Sequence, residues 1–153
     1  MRFFITFLIM WNVGFAANFQ GYEFNDISVR CPTAGKKAPQ VTRVEVVRIL
    51  SNGGGIENFD YGQTRSYQEH NDDEFKIVTL VCGYGGGSRD FATYGGAPSK
   101  ILATREIDTN RDGIVDGFLT LWDVGGKITG TQFFYQSPSV DGSGSKNVTI
   151  FIP

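Results

Sequence analysis

The chain has 153 residues with 20 glycines, two cysteines, one histidine and a formal net charge of −2. That length favours a single domain, and a mildly acidic balance of mixed charges argues against a nucleic-acid or polybasic membrane role. Two cysteines and one histidine cannot build a four-ligand thiolate zinc site.

The chain opens with "MRFFITFLIMWNVGFAAN", in which Arg2 precedes an apolar run from Phe3 to Phe15. The run is too short to span a bilayer and fits the hydrophobic region of a secretory signal, with Gly14 and Ala16 suiting a cleavage site. Residues 1–16 are therefore expected to be a signal peptide and residues 17–153 a single secreted β domain, in the periplasm or outside the cell. Losing Arg2 moves the net charge from −2 to −3, and no later apolar run reaches spanning length. In an oxidising compartment Cys31 and Cys82 are expected to pair. Closing a loop of about fifty residues stabilises by roughly 4 kcal/mol in the chain-entropy picture. The alternative, a cysteine nucleophile with His70, needs a reduced thiol outside the cell.

Further along, "EFNDISVRCP" reads as a strand, and "VTRVEVVRIL" (Val41–Leu50) as another that stops at "SNGGG". "HNDDE" (His70–Glu74) reads as a solvated turn. "EFKIVTLVC" (Glu74–Cys82) alternates, with Phe75, Ile77, Thr79 and Val81 on one face. The following "GYGGGSRD" lacks the Gly-Lys-Ser/Thr ending of a phosphate loop. Ser88 with His70 and Asp90 has the residue types of a triad but not the strand-to-helix elbow. Tyr84, Phe91 and Tyr94 could form a shallow binding platform, with ordinary packing beneath a loop as the competing reading.

"ILATREI" (Ile101–Ile107) leads into "DTNRDGIVDG", and "FLTLWDV" (Phe118–Val124) leaves it. A hairpin is expected from Phe118–Val124 through Gly125-Gly126 to "KITGTQFFYQ" (Lys127–Gln136). "SPSVDGSGSK" is a polar loop and "NVTIFI" (Asn147–Ile152) a closing strand; the "NVT" sequon lies in that strand. Six or seven strands without helical periodicity give an all-β fold, an antiparallel sandwich or small barrel.

The acidic stretch sets oxygen ligands at alternate positions: Asp108, Asn110, Asp112, the Ile114 carbonyl and Asp116, with Gly113 permitting the sharp reversal. This matches the first nine positions of an EF-hand calcium loop. The twelfth position, a bidentate glutamate in an EF-hand, is Leu119, and the flanks are strands. The expected cofactor is a structural Ca2+ bound between two strands; the competing reading is a polar turn capping its own backbone. For glycoside hydrolysis, Glu45, Glu69, Glu74 and Glu106 are available, but no two are paired by the sequence, and no catalytic residue is assigned.

With "VEVVRILSN", "VTLVCGYGGG" and "DTNRDGIVDGFLTLWDVGG" in view, the chain resembles the YolA-like family of small secreted bacterial proteins. The resemblance implies export and a compact β-fold, and nothing catalytic. The leading expectation is a calcium-stabilised binding module for an extracellular or envelope glycan or protein, monomeric by default. The alternatives are a periplasmic inhibitor or immunity protein and a small carboxylate-dependent hydrolase.

Overall fold

The computed structural model describes residues 23–35, 39–70, 73–85, 89–126, 128 and 130–153. The expected signal peptide, and Ser88, lie outside the described residues. Nine strands occur among them: β1 (Arg43–Ser51), β2 (Gly55–Asn58), β3 (Phe75–Cys82), β4 (Phe91–Tyr94), β5 (Ala97–Pro98), β6 (Lys100–Ile107), β7 (Gly117–Asp123), β8 (Thr131–Pro138) and β9 (Ser145–Ile152). They form two antiparallel sheets, β2-β1-β3-β7-β6 and β5-β4-β8-β9, which stay separate as a sandwich and do not close into a barrel.

The two sheets bury one core between them. Val44, Val46, Ile49, Ile77 and Trp122 come from the larger sheet, and Tyr94, Phe133, Tyr135, Ile150 and Ile152 from the smaller. β1, β3 and β7 are buried at nearly every position because these central strands of the larger sheet are covered on both faces. Its second face carries Val47, Leu50, Val78, Leu80, Leu119 and Leu121, and Phe24, Ile27 and Val29 of the segment 23–35 pack over it. Burying apolar area on both faces lets so glycine-rich a chain hold a core.

This N-terminal segment is not the strand expected of "EFNDISVRCP". It lies across the sheet as a strap, held by side chains reaching its carbonyls. Arg48 donates to Asn25 O at 2.7 Å, and Arg105 donates to Phe24 O at 3.0 Å. Its far end is fixed by a disulfide between Cys31 and Cys82, with Cα atoms 5.2 Å apart.

The expected hairpin through Gly125-Gly126 does not form. β7 pairs with β3 and β6, whereas β8 pairs with β4 and β9. Gly125, at φ 74°, turns the chain from one sheet to the other. With apolar side chains on both faces, β7 belongs in the interior of the larger sheet, which is covered above and below, and this overrides the local turn signal. The hairpins that form join β1 to β2, β4 to β5, β6 to β7 around the acidic loop, and β8 to β9.

Candidate binding face on the four-stranded sheet

Strand parity decides which side chains of the smaller sheet meet solvent. In β4, Ala92 and Tyr94 turn inward, leaving Phe91 and Thr93 outside. In β8, Phe133 and Tyr135 are buried, so Phe134 faces out between Gln132 and Gln136. In β9, Ile150 and Ile152 are buried, so Thr149 and Phe151 face out. The ladder sets Phe91 beside Gln136, Thr93 beside Phe134, and then Phe134 beside Thr149 and Gln132 beside Phe151.

Phe91, Phe134 and Phe151 therefore step diagonally across three adjacent strands, one row per strand. Diagonal cross-strand neighbours lie ~7–8 Å apart at Cα, within reach of aromatic rings. The Phe91 and Phe134 rings meet at 5.6 Å between centroids, tilted by 57°. Phe91 keeps 46 % of its surface exposed. A concavity of about 440 Å³ opens beside the lower rows, lined by Thr93, Gly95, Gln132, Phe134 and Phe151 among others.

The segment 63–70 closes the far edge of this face. Ser66 N donates to Phe151 O and Phe151 N donates to Thr64 O, each at 2.9 Å. That places Arg65 in a parallel bridge beside Phe151, with its guanidinium 5.7 Å from the Phe151 ring centroid. The segment is moored by Glu57 of β2, which is buried. Its carboxylate accepts from Ser66 Oγ (2.5 Å), Tyr67 N (2.7 Å) and Gln63 Nε2 (3.3 Å), and lies 2.9 Å from His70 Nε2. Burial opposes ionisation of Glu57, but the Ser66, Tyr67, His70 and Gln68 donors outweigh it and hold the carboxyl below its ordinary range.

His70 itself is fully buried, not the solvated turn residue its surroundings suggest. Gly54 N donates to Ser51 Oγ at 2.8 Å, and Ser51 Oγ lies 2.7 Å from His70 Nδ1. A ring protonated on Nε2 alone closes this chain with every donor matched to an acceptor. Ser51, His70 and Glu57 thus align like a hydrolytic triad, but all three are buried, so no substrate reaches the hydroxyl.

Both cysteines are in the disulfide, which excludes a thiol nucleophile. Asp90 does not join His70; it accepts from Tyr135 OH (3.0 Å) and Ser137 Oγ (2.7 Å). Burial, then the Asp90 charge, pushes the Tyr135 phenol far up, so it remains a neutral donor. Of the expected aromatic platform, Tyr94 is core and Tyr84 packs edge-on against Phe118 at 5.8 Å. Only Phe91 belongs to the exposed face. Glu45 is ion-paired with Arg43 at 2.6 Å, while Glu69, Glu74 and Glu106 are exposed on separate elements.

In the acidic loop, Arg111 (φ 60°) and Gly113 (φ 83°) take left-handed conformations that curl the chain. Asp108 accepts from Asp112 N (3.2 Å) and Gly113 N (2.8 Å), and Asp112 accepts from Ile114 N at 2.8 Å. Asn110 Nδ2 donates to Asp112 at 2.9 Å, so Asp108, Asn110 and Asp112 share one side of the curl. Asp116 turns away from them. It is 1 % exposed and accepts from Ala34 N and Thr109 N, both at 2.6 Å. Those two N–H groups hold its carboxyl below the usual range. Among the described residues no three acidic, histidine or cysteine side chains converge into a metal cage.

Phe134 and Phe151 escaped the sequence reading because "QFFYQ" and "TIFI" give no parity until the partner strands are known. The signal available was the doubled Phe133-Phe134, one ring of which must face outward in any strand. No curated protein and no solved structure matches the chain. The match to a known family spans residues 31–152, from Cys31 to the end of β9, and the chain belongs to the DUF4879 family, a domain of unknown function.

Proposed function

We propose that this protein is an exported, calcium-braced binding module whose ligand is a glycan of the cell envelope or its surroundings, held on the outer face of the four-stranded sheet. The observation that carries this reading is the diagonal of Phe91, Phe134 and Phe151 on a rigid ladder. Aromatic rings on one face of the sheet offer apolar surface to the C–H face of a sugar ring, and Gln132, Gln136 and Asn147 offer amides to its hydroxyls. A flat face with few titratable groups suits binding, not bond cleavage. Export is supported by the leader-like first sixteen residues, by the YolA-like resemblance, and by a disulfide of the kind that persists in oxidising compartments.

The test is titration of the mature protein against a panel of neutral and acidic oligosaccharides, with Phe134→Ala as the variant. Binding by the parent and its loss in Phe134→Ala, with an unchanged melting temperature, supports the reading. Parent and variant equally inert across the panel, or equally active, would remove this face from the account.

Calcium is the second part of the proposal, favoured by the left-handed curl at Arg111 and Gly113 and by Asp108, Asn110 and Asp112 sharing its inner side. Those three side chains and the Ile114 carbonyl would hold the ion. Asp116 would brace the loop against the strap. The ion would supply rigidity to the β6–β7 turn and no chemistry.

A further inference from the structure

We infer that the glycan carries a carboxylate on the sugar seated at the β9 end of the aromatic diagonal, and that Arg65 is the residue that reads it; this rests on the glycan reading of the same face. Three observations converge on Arg65. First, its side chain is exposed and its guanidinium stands 5.7 Å from the Phe151 ring, at the end of the diagonal. Second, it makes no ion pair among the described residues, in a chain with 16 acidic and 14 basic side chains. The outward positions of β4, β8 and β9 that flank it hold phenylalanines, amides and threonines, without a carboxylate.

Third, the residue is held in place. Its backbone is clamped to β9 by the flanking Thr64 and Ser66 bonds to Phe151. Ser66 and Tyr67 are in turn fastened to the buried Glu57. An unpaired surface arginine on a loose loop is ordinary, and its ordering would cost rotamer and backbone entropy on binding. Here the backbone part of that cost is already met by a buried anchor, and the planar fork is presented beside an aromatic stacking surface. A single guanidinium fits a singly charged carboxylate attached directly to a sugar ring, through paired N–H donors. Ring stacking and carboxylate recognition then address one uronic-acid-type unit from its face and its edge.

The experiment is titration calorimetry of the mature protein against hexameric oligogalacturonate and its full methyl ester, which keeps the backbone and removes the charge. Chelator is present because uronates bind calcium themselves. The acid form is expected to bind about tenfold more tightly than the ester, with an advantage that shrinks in salt. Arg65→Gln should bring the acid down to the ester's affinity and leave the ester unchanged. Arg65→Lys should keep part of the advantage, since it retains charge but loses the fork. Equal affinity for acid and ester in the parent overturns the inference. So does an Arg65→Gln variant that weakens both ligands alike, which would give Arg65 a packing role only. Binding of other, neutral glycans with neither hexamer recognised also overturns it while leaving the glycan reading intact. Failure to bind any glycan sinks both.

Discussion

His70 Nε2 lies 2.9 Å from Oε2 of Glu57, and both side chains are buried. The pair moors the segment bearing Arg65 to the β1–β2 hairpin, so the stability of the core and the geometry of the outer face are linked at one carboxylate. Glu57 has a folded-state pKa below its unfolded value of 4.5. Its contribution is therefore complete above that value and is lost as the pH falls through the lower folded-state value. Urea midpoints should decline below about pH 4.5 in the parent, and Glu57→Gln should flatten that decline. The substitution should also cost about 1–3 kcal/mol at neutral pH, because one amide oxygen must replace an anionic acceptor of several donors. Identical acid limbs in parent and variant would show that other carboxylates govern the loss.

Gly54 gives a steric probe of the same network. A Cβ there would stand 2.5 Å from both Glu69 O and His70 Nδ1, and 2.8 Å from Ser51 Oγ. Gly54→Ala should therefore displace the imidazole and destabilise by about 1–3 kcal/mol. Gly55, at φ 69°, has open space around its Cβ position, so Gly55→Ala should cost backbone strain alone. The ring resonances of the single histidine separate the two outcomes. They should move in Gly54→Ala and stay in Gly55→Ala. A parental histidine spectrum in Gly54→Ala would mean that the hairpin gives way instead of the ring.

How far such relations could be read from the chain depends on what each one needs. β1 and β3 were legible in "VTRVEVVRIL" and "EFKIVTLVC", since a run of β-branched residues between glycine breaks specifies a strand wherever it pairs. The turn at Gly125-Gly126 was misleading because two glycines permit a tight hairpin but equally permit a crossing between sheets. Burial of both faces of β7 decided between them, and that is a property of the whole sandwich. Ile27, Val29 and Cys31 alternate like a strand, yet Phe24, Ile27 and Val29 pack onto a sheet already paired through β7 and β3. The Glu57–His70 contact joins residues thirteen apart in sequence, and no periodicity signals it.

The strap makes the disulfide's effect regional. Cys31 joins segment 23–35 to the end of β3. Opening the bond should cost roughly 4 kcal/mol of global stability through the unfolded chain. It should also raise amide exchange in the strap before it raises exchange in β8 and β9, which the bond does not touch. Mass-resolved exchange on a Cys31→Ser, Cys82→Ser double variant reads both effects. Uniform loss of protection across the two sheets would mean that strap and sandwich unfold as one unit.

Two aspartates four residues apart in the acidic loop should behave in opposite ways. Asp112 lies exposed on the inner side of the curl with Asp108 and Asn110. Asp116 is spent on the Ala34 and Thr109 N–H groups, which tie the loop to the strap. If the loop binds calcium, Asp112→Ala should melt well below the parent in millimolar calcium, and the gap should narrow in chelator, because the lost stability is ligand linkage. Asp116→Ala should melt below the parent by a similar margin in either condition, since two buried N–H donors lose their acceptor whether or not an ion is bound. A calcium-independent gap for both variants would reduce the whole loop to a self-capped turn. The Asp116 result would then stand alone as the reason a carboxylate occupies that position.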